Sequence, residues 1–425
     1  MQWRGLRGRG LKLRSVPASR SSRMFCSRLR PIFIHSRYSS TLIKSGFTSF
    51  FIHNKQHLLA RRVAHAVTLD QDLIPEAPSR SVAGYREAEV LTPGRLLNVY
   101  SQLSKSRLTV LITLTAMSGV ALSPLPATLS VLLATATGTA LCSASANTLN
   151  QLQEVPYDAQ MARTRTRPLV RRAITPLHAA RFAVVTGVGG PVMLWIMVNP
   201  TTAILGAANI ALYAGVYTWL KRKHVVNTWV GAVVGGIPPV MGWTACGGQL
   251  FPSSAYPVEY FLPQFLSSLP TASINFSLID NPLSPFALFM LLYSWQFPHF
   301  NSLSYLVRGS YAQAGYHMLS VLSPSQNALV TLRHSILLFP ICSVLIPLSG
   351  LTTWAFAVTS LVPNVICTRA AWKFWRIGGE KQARALWHNY LWYLPVILAL
   401  AMVHKQGMDW AKWMEIKYDE ETKNP

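Results

Sequence analysis

Acidic residues are scarce in this chain: fifteen Asp and Glu stand against 39 Lys and Arg in 425 residues, and none occurs before Asp70. Nine arginines, from Arg4 to Arg37, alternate there with Ser and apolar residues. A basic, Ser-rich and acid-free start has the composition of a mitochondrial transit peptide, drawn inward by the membrane potential. Residues 1–38 are expected to be that peptide, cleaved after Tyr38 in Ser36-Arg37-Tyr38-Ser39-Ser40. The alternative, a basic arm for nucleic acid, fits poorly with the apolar chain behind it. Much of the +24 net charge therefore belongs to an address tag and to loops, and no nucleic-acid partner is expected.

Charge of either sign is also sparse, at 13% of residues, while half are hydrophobic. Apolar runs recur between residues 108 and 404, and about 20 residues of helix cross a bilayer. The fold expected is all-α, a polytopic bundle of nine transmembrane helices: Leu108–Leu122, Thr128–Ala146, Ala179–Val198, Ala203–Leu220, Thr228–Cys246, Pro285–Leu303, Ser335–Leu348, Thr352–Ala370 and Trp387–Val403. Lys and Arg are absent from Ser123–Pro126, Asn199–Thr202, Gly247–Ser284 and Gly350–Leu351, and collect in the alternate loops. That alternation places the N-terminus and the basic loops on the inner, matrix side of the mitochondrial inner membrane and the C-terminal tail outside. Around the domain of residues 107–404 lie a matrix-facing lead-in, 39–106, and a tail, 405–425. Pro75, Pro78 and Pro93 discourage long helices in the lead-in. The five cysteines, Cys26, Cys142, Cys246, Cys342 and Cys367, lack the spacing of a disulfide framework or zinc site.

Against this background the segment Asn150–Val170, NQLQEVPYDAQMARTRTRPLV, stands out at the inner edge of the second span. Asn150, Glu154 and Asp158 are four apart, so on a helix each is turned only about 40° from the last and all line one face. Three oxygen ligands on one strip suit Mg²⁺ shared with a diphosphate substrate. Pro156 is expected to bend or end the helix, swinging Asp158 across the pocket. Arg163 and Arg167, again four apart, match phosphate oxygens. Arg171 and Arg172 are explained equally well as positive-inside charges.

Two further inner loops carry related chemistry. Tyr217 and Lys221 stand one turn apart, so a phosphate held by Lys221 would lie beside the Tyr217 hydroxyl; a purely topological role for Lys221–Lys223 remains open. Trp295, Gln296, His299 and Asn301 bring aromatic faces and polar groups to the membrane end of a helix that Pro298 is expected to break. A polar group inside a membrane is a functional candidate by default.

The N-x3-E-x3-D pattern, Met161-Ala162-Arg163-Thr164, Arg167-Pro168-Leu169, Asn227-Thr228-Trp229-Val230-Gly231 with Ile237-Pro238-Pro239, and Trp295-Gln296-Phe297-Pro298-His299-Phe300-Asn301 together resemble the protohaem IX farnesyltransferases (haem O synthases) of the UbiA-type intramembrane prenyltransferases. The resemblance runs from about Leu108 to Val403. It implies a nine-helix bundle, Mg²⁺, farnesyl diphosphate and haem B as substrates, and haem A synthase and cytochrome c oxidase assembly factors as neighbours in the inner-membrane lipid. By motif, Asn150, Glu154 and Asp158 would hold metal and diphosphate, Arg163 and Arg167 would contact diphosphate, and Tyr217 and Lys221 would add the second loop. Trp295, His299, Asn301 and Arg308 would line the substrate site; whether His299 touches haem or orients the site is not carried by the motif. One departure is visible: where many such enzymes have acids after the sixth span, this chain reads Arg308-Gly309-Ser310-Tyr311, which leaves a second carboxylate-held Mg²⁺ in doubt. Two rival readings share part of this pattern: a prenyltransferase for an aromatic quinone precursor, and a non-catalytic carrier or scaffold, which would need no acid strip.

Overall fold

A computed structural model describes residues 92–263, 266 and 280–408. The expected transit peptide, most of the lead-in and the tail beyond 408 lie outside the described residues. Among the described residues there is no strand, only an isolated bridge between Thr352 and Lys405.

The helices are α1 Pro93–Leu103, α2 Ser106–Leu122, α3 Leu129–Asp158, α4 Pro176–Met197, α5 Pro200–Leu220, α6 Asn227–Ala245 and α7 Leu283–Leu306. After the short α8 Arg308–Gln313 and α9 Leu319–Leu322 come α10 Pro324–Leu348, α11 Ala355–Thr359, α12 Leu361–Ile377 and α13 Gly379–Val403. Five of these, α3, α4, α5, α10 and α13, are long and apolar enough to cross a membrane. Leu111, Leu114, Val184, Val185 and Ile196 are more than half exposed, as side chains facing lipid would be. The protein is a multi-pass membrane protein.

Helices outrun the apolar runs that announce them. The run expected to end at Ala146 continues as helix to Asp158, and the last helix begins at Gly379 rather than near Trp387. The added turns are polar, with Glu154 and Asp158 of α3 and Glu380 of α13 in ion pairs, so hydropathy misses them. Pro156 sits inside the last turn of α3, which ends two residues later at Asp158; Pro298 does not break its helix, since α7 runs on to Leu306. Pro93 starts a helix instead of discouraging one, because at the first position its missing N–H has no partner to lose.

α3 packs along α4, α4 on α5, α5 on α6, α2 between α3 and α6, and α6 on α7; α7 packs on α10 and α13, and α13 touches α2, which closes the ring. The α2–α6 crossing is tight. A Cβ built on Gly119 would overlap the Pro239 carbonyl, and one on Gly242 would overlap that of Ala116. Glycine at both positions lets the two backbones touch.

At the far end of α2 the Lys405 ammonium donates to the carbonyl oxygens of Ala121 and Ser123, each at 2.8 Å. It satisfies carbonyls that a helix leaves unpaired and offsets the negative end of the dipole. Thr353 N–H donates to the His404 carbonyl at 2.8 Å, so the same clasp ties α13 to the segment before α11. Lys405→Met should cost about 1.5–3 kcal/mol, as for a hydrogen bond to a charged group, and lower the thermal midpoint in detergent. Activity per folded molecule should not change, since the opposite end of α2 is about 25 Å away at 1.5 Å per residue. An unchanged midpoint would show that the clasp contributes nothing.

Candidate functional site

Of the acids between Arg107 and His404, Glu154, Asp158 and Glu380 stand at the end of the bundle where α3 and α5 finish and α2 and α6 begin; Glu380 is exposed beside Arg308, and the other two belong to the cluster. Both are buried, at 5% and 1% exposure. Such carboxylates need partners; two cations, Lys221 and Arg167, pair with them, and a third, Lys105, holds Asn150 beside them.

Lys221, just after α5, donates to Glu154 Oε1 at 2.8 Å. Arg167, in the turns after α3, donates to Asp158 Oδ2 and lies 3.8 Å from Glu154 Oε2. Lys105, before α2, donates to Asn150 Oδ1 at 3.0 Å. Asn150 Nδ2 donates in turn to Thr218 Oγ1 at 3.0 Å, and Thr218 donates to the Tyr213 carbonyl at 2.9 Å. One face of α3 therefore joins the ends of α2 and α5. Three cations less two carboxylates leave a formal +1, a balance suited to an anion.

Local sequence explains each placement. The Lys105 backbone is left-handed, φ 49°, a conformation uncommon for a residue with a side chain. Asn147 Nδ2 holds the Ser104 carbonyl at 3.1 Å, and Gln151 Nε2 holds those of Gln102 and Leu103 at 3.0 and 2.9 Å. These bonds fix the turn that directs Lys105 inward. In α5 a π-helical turn, Leu212–Tyr217, stacks Tyr213 on Tyr217 with ring centres 5.3 Å apart; such turns recur at functional sites. Gly231 makes room for the Tyr217 ring, which a Cβ there would strike. The Lys221 ammonium lies 4.6 Å from the centre of that ring, so Tyr217 meets Lys221 with the face of its ring.

Burial, then the charges of Arg167 and Lys221, push the Lys105 pKa down to about 7. Burial works against the Lys221 ammonium too, but the adjoining Glu154 carboxylate outweighs it and the pKa rises. Lys221 is thus locked as a cation.

Asn150, Glu154, Asp158, Arg167, Tyr217 and Lys221, all singled out from the sequence, meet here. Arg163 does not join them: its segment forms turns rather than a helix, so the four-residue spacing sets no common face, and it is exposed with no ion pair among the described residues. Trp295 and His299 stack at 4.8 Å, and Trp295 Nε1 donates to the Tyr390 carbonyl at 3.1 Å, which turns this pair toward α13. The Asn301 carbonyl accepts from Asn327 on α10 at 3.2 Å. Arg308 lies over Tyr305 and reaches Glu380 at 3.3 Å. His299 Nδ1 and Asn301 Nδ2 are buried without a hydrogen-bond partner. Lys105, Thr218 and Tyr213 were not legible as site residues. Lys105 read as one of the charges flanking a membrane, and nothing in a sequence marks a left-handed lysine.

A metal fits one position best. Asp158 Oδ1 is buried and makes no hydrogen bond, so an ion there would meet an unused carboxylate oxygen, the ligand type Mg²⁺ prefers.

Residues 110–394 match the model of the UbiA prenyltransferase family. The chain belongs to this family and is a prenyltransferase. Among its relatives are proteins named mitochondrial protoheme IX farnesyltransferase: that of Neurospora crassa is 44% identical over 361 residues, covering 81% of this chain and 68% of the relative. The one from Eremothecium gossypii is 40% identical, covering 76% and 72%, and that of Saccharomyces cerevisiae 39%, covering 78% and 68%. In fold the chain is similar to a UbiA homologue from Aeropyrum pernix, with TM-score 0.52 and 15% identity over 70% of this chain and 97% of that one. A structure described as digeranylgeranylglyceryl phosphate synthase gives TM-score 0.55 at 13% identity, covering 72% and 98%.

Proposed function

We propose that this protein transfers the farnesyl group of farnesyl diphosphate to a vinyl group of protohaem IX, giving haem O and diphosphate, a step toward haem A for cytochrome c oxidase. The observation that carries the reading is the buried cluster of Glu154 and Asp158 with Lys105, Arg167 and Lys221, in a chain whose relatives bear that activity in their names. Nine crossings of the mitochondrial inner membrane, with this cluster on the matrix side, agree with the basic loops and with the distribution of helices. The mitochondrial names of the relatives and the acid-free start support the compartment.

Farnesyl diphosphate would enter with its charged head in the cluster and its tail along the apolar helices. Asn150, Glu154 and Asp158 would hold Mg²⁺, which when bound offsets the charge of the leaving diphosphate. Arg167, Lys221 and Lys105 would bind the diphosphate oxygens, with Arg163 available from the rim. As the C1–O bond breaks, its electron pair leaves with diphosphate, and these fixed cations stabilise the charge that develops. The allylic cation is attacked by the vinyl group, forming a C–C bond; water adds to the resulting cation and loses a proton, leaving the hydroxyl group. Positioning and exclusion of premature water are the protein's main tasks. Trp295, His299, Asn301 and Arg308 are assigned to the acceptor side. The unpartnered Nδ1 of His299 and Nδ2 of Asn301 support that assignment.

Purified protein with farnesyl diphosphate and Mg²⁺ should modify haem B and leave hydroxybenzoate untouched, as read by mass spectrometry. Modification of the benzoate but not of haem would replace this reading with that of a quinone-precursor prenyltransferase.

A further inference from the structure

We propose that the Tyr316 hydroxyl donates a hydrogen bond to the diphosphate group in the same cluster and stabilises it as it leaves. The inference rests on the diphosphate reading above and adds a substrate-binding group that the acid and arginine motifs do not contain.

Tyr316 is 4% exposed, and its buried hydroxyl faces the Glu154 carboxylate without closing a hydrogen bond of ordinary geometry to it or to any other group. Its neighbour Tyr157, whose ring centre is 5.7 Å away, differs: its hydroxyl accepts from Arg222 at 2.8 Å. A buried hydroxyl left unmade is costly, so one kept in a structure calls for a function. The hydroxyl lies toward the carboxylates of Glu154 and Asp158, and an uncharged phenol has a proton to donate there. In the same cluster Asp158 Oδ1 also lacks a partner. A donor and a carboxylate oxygen are thus both unused beside the cations. A diphosphate with its metal is the kind of ligand that would use both: the phenol meets a phosphate oxygen and the carboxylate meets the ion.

The position of Tyr316 is imposed by backbone contacts rather than by its own hydroxyl. His317 N–H donates to the Lys221 carbonyl at 2.8 Å, and Asn227 Nδ2 ties the carbonyls of His224 and His317 at 2.7 and 3.0 Å. Gly315, at φ 73°, permits the turn into this contact. Met161, Ala314 and Met318 pack around the ring. The segment that begins Arg308-Gly309-Ser310-Tyr311, without a carboxylate, therefore brings a phenol to the cluster a few residues later.

The test uses the full chain in detergent with magnesium pyrophosphate as probe, followed by calorimetry, alongside turnover with farnesyl diphosphate and haem. Tyr316→Phe should bind pyrophosphate about tenfold more weakly, the loss expected of one hydrogen bond, with KM for haem unchanged. Ligand-free, it should melt at or above the wild-type temperature, because it removes an unsatisfied hydroxyl. A lowered melting temperature would mean that the hydroxyl is structural and would overturn the proposal. Arg167→Ala separates the two readings. Loss of pyrophosphate binding in Arg167→Ala beside unchanged binding in Tyr316→Phe overturns the role of Tyr316 alone; wild-type binding in both overturns the diphosphate cluster itself.

Discussion

Asp158→Asn should reduce farnesyl transfer by at least about a hundredfold while leaving the amount of inserted protein unchanged. The expected scale is that of removing one electrostatic stabiliser from a transition state, about 10²–10³ in rate. Asp158 is the carboxylate with a free oxygen, and its other oxygen orients Arg167. Asparagine keeps an acceptor for Arg167 but removes the charge that a divalent ion needs. Arg167 also retains Glu154 within 3.8 Å and is partly solvated, so it is not stranded as a buried, unpaired cation. The measurement is product formation by the purified variant beside membrane-fraction yield. Normal turnover would refute the assignment of Asp158; lost yield would assign it to folding instead.

Gly242→Leu should prevent accumulation of folded protein. Overpacking a core commonly costs about 1–3 kcal/mol when side chains can shift, but here the obstacle is the backbone of Ala116 and Val120. Relief requires α2 and α6 to separate, and α2 also carries Lys105 at its start and the Lys405 contact at its end. With soluble folds stable by about 5–15 kcal/mol as a guide, parting that seam consumes much of the margin. Gly189→Leu provides the contrast, because a Cβ there meets nothing within 4 Å. Detergent melting curves of the two variants should differ sharply; equal curves would mean that α2 and α6 are free to move apart.

The core of the candidate site was legible where chemistry and periodicity coincide. Asn150, Glu154 and Asp158 share a helical face, and carboxylates have no topological purpose beside a membrane. Tyr217 and Lys221 were visible because the same four-residue spacing recurs on the same side. Arg163 shows the limit of that argument, since spacing predicts a common face only where the chain is helical. Trp295 and His299 were recognisable as unusual, but the side of α7 on which they lie depends on Tyr390, almost a hundred residues later. Tyr316 carried no signal, because phenols are common and a missing hydrogen bond is a property of surroundings.

The sequence by itself determined the class of fold, the order of the apolar segments, the alternation of basic and uncharged loops, and the family resemblance. Those features are local in the chain: hydropathy and charge act on each segment whatever its neighbours. Tertiary structure decided which groups compensate one another. It matched Lys221 to Glu154, Arg167 to Asp158 and Lys105 to Asn150, left Arg163 at the surface, and brought the unpartnered Tyr316 hydroxyl beside the acids. Burial changes the chemistry of ionisable groups, and only packing sets that burial.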